Sequence, residues 1–559
     1  MSQTQTDALN VSAVKRTGKF PSAIPYIVGN EAAERFNYYG LRAILTTFLV
    51  AAFFKAKFPL TPEGATAAEA GANAATHDFV AMSYLLPLFG GMISDWFWGK
   101  YKTILRLSLV YVLGNIILAF STANENLFMT GLLFVAIGAG GIKPCVSANV
   151  GDQFDQSNQH LMSKAFDAFY FSINLGSFFS ILLIPYLNAK YGPQIAFGVP
   201  AIAMLVATAF FYAGNKKYVK VPPKGDNNKL VILITAFVAL AASYLYFDRT
   251  VHLGMGPVML SFAFLTVVFA FIFQKQWFAK PGNFVGINLF AIKSTLSNFL
   301  SKIFNKIFNK IFKRNQQFIP QMVGFEAATE EYGADKIEGV RSVWRVLAVF
   351  AFIPFFWALW DQNQSEWVIQ AQHCDLNFMG RTWQAEQISA ANAVLILLFI
   401  PLFSFGIYPG IQKLGINVTS LRKFGAGFFI TALSFVIISL IQTQIDGGAK
   451  PSIGWQLLAY VILTAGEILI SITGLEYAYT QSPPSMKSTI SALYLLMVTL
   501  GNVLVSVIQN NIKNGGFFAQ FHGASFFWLF TGICFTTGII FALVSPYIKQ
   551  RSYIGATID

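Results

Sequence analysis

Apolar windows of about 20 residues recur along the chain, the length that crosses the roughly 30 Å hydrocarbon core of a bilayer as a helix. They fall near 24–54, 78–97, 103–122, 127–149, 165–187 and 195–213. After a linker with Lys216, Lys217, Lys220, Pro222, Pro223, Lys224 and Asp226, two more lie near 229–247 and 256–273. A polar stretch runs to about 342, and six further windows follow near 343–361, 388–409, 423–442, 455–478, 488–510 and 525–548. The series of six, two and six predicts an all-α polytopic membrane protein with 14 transmembrane helices, arranged as two six-helix bundles and an inserted pair. The expected divisions are a tail at 1–23, a bundle at 24–215, the linker and pair at 216–274, a loop at 275–342, a bundle at 343–548 and a tail at 549–559. No residue-level repeat relates the halves, so the division rests on counting.

Inside the long loop, Lys302 to Arg314 repeats Ile-Phe every four residues against Asn, Lys and Arg. At 100° per residue that apolar stripe drifts slowly, which predicts an amphipathic helix lying on an anionic membrane surface. The polar start of the chain, with Lys15, Arg16 and Lys19, lacks the apolar core of a cleaved signal peptide, so the first helix is expected to direct insertion.

Charged residues make up 12% of the chain, half the share in soluble domains. The net charge of +13 needs no nucleic-acid partner. Lys and Arg gather in alternate loops, at 15–19, 100–102, 216–224, 413–423 and 549–551, as they do on the cytoplasmic side of membrane proteins. Both termini are therefore expected inside. The exception is 55–76, read as an outer loop with Lys55 and Lys57 diluted by Glu63 and Glu69. Three cysteines, none in a Cys-x-x-Cys pair, exclude a disulfide framework.

The first window is where charge enters the membrane. Glu31, Glu34, Arg35, Tyr38 and Arg42 share one helical face with Tyr39 at its edge. Four charges at mid-membrane cost roughly 10–14 kcal/mol on the insertion scale, against about 4–7 kcal/mol returned by the apolar residues. That face needs a bundle interior or a watered cavity. In the fourth window, Gly138 to Pro144 sets Lys143 among glycines suited to close helix packing. Lys143 is either a snorkelling end residue or a cavity cation. It is no phosphate loop, since neither Ser nor Thr follows the lysine. Asp361, after Trp357 and Trp360, is a helix-end acid or the partner of Lys143. Glu467 and Glu476 lie nine residues apart, on opposite helical faces; Glu476, among tyrosines, is the one expected in the cavity. Asn174 and Asn392 are hydrogen-bonding groups at membrane depth, fit for a ligand or for joining helices.

The inventory is bipolar. Arg35, Arg42 and Lys143 in the first half suit a carboxylate; Asp361 and Glu476 in the second suit an ammonium. Tyr38, Tyr39, Tyr84, Trp357 and Tyr494 offer apolar walls with polar tips. A zwitterion with variable side chains fits this set better than a simple anion or a sugar. No metal spacing, Ser nucleophile motif or phosphate loop marks an enzyme.

Taken together, these stretches resemble the proton-dependent oligopeptide transporter family of the major facilitator superfamily. The resemblance rests on Glu31-x-x-Glu34-Arg35-Phe36-x-Tyr38-Tyr39-Gly40, on Gly138 to Phe154, on Phe169-Tyr170-x-x-Ile173-Asn174-x-Gly176, and on Gly474 to Gln481. The motif from Gly91 through Asp95 to Gly99 and Lys100 is similar to the superfamily's loop motif. The resemblance implies a proton-coupled symporter of di- and tripeptides, with no cofactor beyond the proton as coupling ion. It implies a multi-pass protein of a bacterial cytoplasmic (inner) membrane, embedded in the lipid bilayer. Glu31, Glu34 and Arg35 would couple protons. Arg35 and Lys143 would hold the peptide carboxylate, and Glu476, Asn174 and Asn392 its amino terminus. Tyr38, Tyr39, Tyr84 and Trp357 would shape side-chain pockets, and Arg42 is the family's further first-helix arginine. His77 resembles a histidine linked to protons in the animal transporters, or is a surface residue. Asp361 stands where many bacterial members carry Glu, and Tyr494 where several carry Trp. A carrier of nitrate, an amino acid or another small anion or zwitterion is the alternative on this fold.

Overall fold

Twelve helical crossings account for most of the described chain in a computed structural model that describes residues 19–155, 157–223, 286–295, 297–298, 324–482 and 487–548. Helix α1 spans Ile24–Leu49 and ends in a π-helical turn, Val50–Phe54. Helix α2 spans Pro62–Leu85 and continues through Pro87–Ile93 into a second π turn, Ser94–Trp98. Helices α3 (Lys100–Phe120), α4 (Glu125–Asp152), α5 (Met162–Tyr191) and α6 (Pro193–Ala213) complete the first half. In the second half α7 is broken: Ala334–Phe350, Ile353–Trp360, a 3-10 turn at Asp361–Gln364, then Glu366–Gln372. Helix α8 (Ala390–Pro401) passes through a π turn to Tyr408–Lys413. Helix α9 spans Ser420–Asp446, and α10 spans Gly454–Glu467 before a π turn, Ile468–Ile472, and Thr473–Thr480. Helices α11 (Lys487–Lys513) and α12 (Ala524–Val544) close the half. A short hairpin of β1 (Asn377–Phe378) and β2 (Arg381–Thr382) follows α7.

Eleven of the described helices are long and apolar enough to cross a membrane. The expected pair at 229–247 and 256–273 and the amphipathic repeat at 302–314 lie outside the described residues.

One boundary differs sharply from the sequence expectation. The stretch 62–76, read as part of an outer loop, is the first half of α2. Its alanines (65, 67, 68, 70, 72, 74 and 75) are the strongest helix formers but carry too little hydrophobicity to register as an apolar window. Pro62 sits at the first helical position, and the Thr61 side chain accepts from the Gly64 N–H at 3.2 Å, which together fix the start. Lys57, an apparent exception to the charge rule, pairs with Glu125 at 2.5 Å.

Each half packs around its own apolar core. The first gathers residues such as Leu41, Phe48, Tyr111, Phe128 and Phe197; the second gathers Phe350, Phe356, Trp367, Phe428 and Phe530. Tyr84 packs against both cores. The signature glycines allow close approach, as expected: a side chain at Gly138, Gly140 or Gly141 would run into Tyr111, Leu86 or Leu107. Gly176 faces the Ala32 carbonyl of α1. Gly91 of the loop motif has nothing within 4 Å of where a side chain would begin; its neighbour Gly90 meets Gly141 instead. Gly99, with φ of 73°, makes the turn from α2 to α3.

Alternation of the crossings defines two sides. One carries the start of α1 and the end of α12 and is called the terminal side below. The other carries the α1–α2, α3–α4, α7–α8, α9–α10 and α11–α12 connections and is called the far side.

Candidate functional site

The charged face of α1 is buried, and its charges pair. Arg35 bridges Glu31, at 3.0 Å, and Glu34, all three nearly inaccessible. The spacing brings this about, since residues three and four apart stack on one helical face. The Lys143 amino group lies over the rings of Tyr38 and Tyr84, at 4.2 and 4.1 Å. It is buried, with no hydrogen-bond partner among the described residues. A buried ammonium set over aromatic faces is a ready anion site. Tyr38 is fully buried and stacks on Phe79, so its ring forms the floor under Lys143. Tyr39 meets Tyr38 edge-on and lies within electrostatic reach of Arg35 in its own half and Glu467 in the other.

The expected pairing of Asp361 with Lys143 is not formed. Asp361 binds Arg42 at 2.5 Å, and the same guanidinium donates to the Asp361 backbone carbonyl at 3.0 Å. Arg42 lies seven residues beyond Arg35, about 10 Å further toward the far side. Asp361 ends the middle segment of α7 at that level, and a short aspartate side chain stops there. This ion pair is buried on both sides and joins the two halves.

The choice between the two α10 glutamates is reversed. Glu467 points inward: Asn392 donates to its Oε2 at 2.8 Å and to Thr464 at 3.0 Å. Glu476 is half exposed and pairs with Lys423, in the first turn of α9, at 3.2 Å. The reason is partly depth. At 1.5 Å per residue, Glu467 lies about 20 Å and Glu476 about 33 Å from the far-side start of α10, so Glu476 lies at the terminal-side surface. The π turn between them also breaks the 100° periodicity on which opposite faces were assigned. Asn392 thus joins Glu467 rather than Glu476, and Asn174 donates to the Tyr170 carbonyl of its own helix at 2.9 Å, away from both. Trp357 and Tyr494 are buried in the second half's core. Trp357 packs edge-on against Phe356 and Trp360, while the Tyr494 hydroxyl donates to the Ser471 carbonyl.

His77 is not a surface residue. It is fully buried, with Nδ1 2.8 Å from Asn502 Oδ1 and Nε2 3.0 Å from Ser365 Oγ and 3.2 Å from Glu366 Oε2. Asn502 donates onward to Asp361 at 2.6 Å, and Gln509 donates to Glu366 at 2.8 Å. Ser506 donates to Asp78 at 2.6 Å. Sequence reasoning missed Glu366, Asn502 and Gln509. Glu366 fell past the apparent end of an apolar window; Asn502, polar within one, was the available signal. These bonds, with Thr499 to the Ala81 carbonyl and Gln387 to the Leu182 carbonyl, join the halves from mid-depth to the far side. The far side is closed.

Among the described residues no group of His, Cys, Asp and Glu could hold a metal ion. All three cysteines are buried, and none forms a disulfide.

The model for the POT family matches residues 101–522. Solute carrier family 15 member 2 of Mus musculus is 30% identical over 471 residues, 81% of this chain and 54% of its own length. Peptide transporter family 2 of Caenorhabditis elegans is 33% identical over 444 residues, 77% of this chain and 48% of its own. The chain spans about half the length of these curated relatives. Among solved structures, the POT family transporter PepTSo is 35% identical, with a TM-score of 0.75, covering 95% of this chain and 99% of that one. An auto-inhibited POT family peptide transporter is 31% identical, with a TM-score of 0.77, covering 96% and 99%. The fold is therefore the all-α major facilitator fold, and a chain with this charged first helix, these two bundles and these matches belongs to the POT family of membrane transporters.

Proposed function

We propose that the chain is a proton-coupled symporter that imports di- and tripeptides by alternating access, in a bacterial cytoplasmic membrane with both termini inside. The observation that carries this reading is Lys143, a buried cation without a hydrogen-bonding partner among the described residues, set beside the Glu31–Glu34–Arg35 cluster. A peptide carboxylate supplies the partner Lys143 lacks and competes for Arg35. A proton on Glu31 or Glu34 frees Arg35 for that competition, which ties substrate to proton. The peptide ammonium is served from the second half by Glu467, steadied by Asn392. A zwitterion held at both ends draws the halves together, and its stronger binding to the closed form shifts the equilibrium between states. Tyr38, Tyr39 and Tyr84 line the span between the two charged ends. Protons and peptides are the partners of this cycle, with the lipid bilayer as its solvent and no cofactor.

The test is uptake of labelled dialanine by the purified chain in liposomes, with free alanine and nitrate as competitors. Inhibition by unlabelled di- and tripeptides alone is expected. Equal inhibition by nitrate or alanine would replace peptide by a smaller anion or zwitterion.

A further inference from the structure

An apolar slot of about 290 Å³ lies between the halves on the far side. Phe178 and Leu182 of α5 form one wall; Ala391 and Val394 of α8, with Met379 and Trp383 from the hairpin and the segment after it, form the other. Gln387 also lines it, but its amide is engaged, donating to the Leu182 carbonyl at 2.7 Å and accepting from the Gln384 N–H at 3.1 Å. The slot thus offers no charge for a peptide terminus. At 1.5 Å per residue, Leu182 and Phe178 lie about 14 and 20 Å below the Tyr191 end of α5, at the depth of lipid chains. Phe179 and Leu183 on α5 and Leu397 and Leu398 on α8 are exposed around it, so it opens toward the bilayer. A lipid chain entering the slot gains little from leaving other chains, which are as apolar as the wall. Selection therefore falls to the rim. There Arg381 is exposed and lies over the Trp383 ring at 4.9 Å. Tyr186 and Lys190 continue the line of Phe178 and Leu182 toward the surface, and Lys190 donates to the Tyr186 hydroxyl at 3.1 Å. Neither cation has an ion-pair partner among the described residues. Cations and aromatic rings at the interface, above an apolar slot, complement a lipid phosphate with its chain below.

We propose that this slot binds one anionic phospholipid of the far-side leaflet, its phosphate on Arg381 and one acyl chain between α5 and α8, and that the bound lipid favours the far-closed form. The hairpin is built for such a contact. Its two-residue turn, Met379-Gly380, holds both residues at positive φ, 55° and 74°. Asn or Gly is the usual first residue of that turn, because other side chains are strained there. A methionine in that place is 89% exposed yet lines the slot. In water such a side chain gains nothing to offset the strain; against a lipid chain it packs. Two cations without acids paired to them select a headgroup of net negative charge over one that carries its own ammonium. The slot's walls come from different halves, and Ala390, which also lines it, packs with Ala43 and Ile181 of the first half. Rocking the halves apart on the far side parts α5 from α8 and widens the slot beyond contact with one chain. A ligand that touches both walls binds the closed form more tightly, and shifts the equilibrium toward it.

The test involves neither peptide nor proton, so it fails separately from the proposed transport. The full chain is placed in phosphatidylcholine liposomes with a trace of phosphatidylglycerol, or of phosphatidylcholine, carrying the same photoreactive diazirine midway along one chain. Labelling at Leu182 and Val394 is mapped by mass spectrometry and divided by that at Ile202 and Leu205, exposed on α6 as ordinary lipid contacts. The ratio is expected to be about fivefold higher for phosphatidylglycerol, the worth of one cation beside an anionic headgroup. Arg381→Gln, on the exposed hairpin, is expected to remove that preference. Equal ratios for the two lipids, a preference that survives Arg381→Gln, or a slot shielded from both labels by a second copy of the chain would each overturn the proposal. Spin labels at Ala123 and Ala449, exposed in far-side connections of the two halves, report the conformation; the native cysteines are buried. Their short-distance population is expected to rise as phosphatidylglycerol replaces phosphatidylcholine, and to stay level in Arg381→Gln. A population indifferent to phosphatidylglycerol in the otherwise unchanged chain would overturn the link between lipid and closure.

Discussion

Lys143 and Arg35 sit in different surroundings although both are buried cations of the first half. Arg35 is held by two carboxylates of its own helix, whereas Lys143 rests on two tyrosine rings. A substrate carboxylate therefore gains more from Lys143, where it displaces no hydrogen-bonding partner among the described residues. Lys143→Gln removes a charge-assisted hydrogen bond of about 1.5–3 kcal/mol. It should lower kcat/KM for dialanine roughly 10-fold to 100-fold while changing little for dialanine amide, which lacks the carboxylate; uptake kinetics of the two compounds measure this. Glu34→Gln should abolish uphill uptake yet spare counterflow exchange of preloaded peptide; gradient-driven accumulation by that variant would sink the role given to Glu34. The Arg35 cluster was legible in the sequence because its members lie three and four residues apart. Asp361 was legible as a buried acid, but its partner was not. Spacing along one helix says nothing about the relative level of another, and the level selected Arg42 over Lys143.

At the scale of elements, two features place the helices that carry the site. The first is close contact between α1 and α5, where Gly176 meets the Ala32 carbonyl. A backbone atom cannot swing aside as a flexible side chain can. Gly176→Val should cost about 1–3 kcal/mol through overpacking and lower the melting temperature of the detergent-solubilised chain. Gly91→Ala, facing open space, should leave it unchanged; a thermal melt of both variants makes the comparison. The second feature is the π turn of α10, which turns Glu467 rather than Glu476 toward Asn392. Glu467→Gln should weaken uptake of peptides with a free amino terminus more than of N-acetylated ones, while Glu476→Gln should not discriminate, as competition assays would reveal. Hydropathy located most crossings within a few residues, because burial in lipid demands apolar length. It missed the alanine-rich start of α2, where helix propensity rather than hydrophobicity sets the boundary. It also gave no sign of the π turn, which depends on local backbone accommodation.

For the whole molecule, the apolar windows already required two six-helix halves, whereas the conformation they adopt had no signal in the windows at all. The structure shows the far side closed by Arg42–Asp361 and by the cluster around His77, both spanning the halves. Beneath that closure lie the charges proposed for substrate and proton, Arg35 and Lys143 in the first half and Glu467 in the second. Alternating access needs this separation, because a ligand bridging the halves favours the closed form only if each half holds one end of it. The measurement that tests this account most directly is accumulation of labelled dialanine by proteoliposomes with an imposed inward proton gradient, with and without an uncoupler, across a small di- and tripeptide panel. The account predicts accumulation above the external concentration that the uncoupler abolishes. Peptide uptake indifferent to the uncoupler, or none for any peptide of the panel, would contradict it.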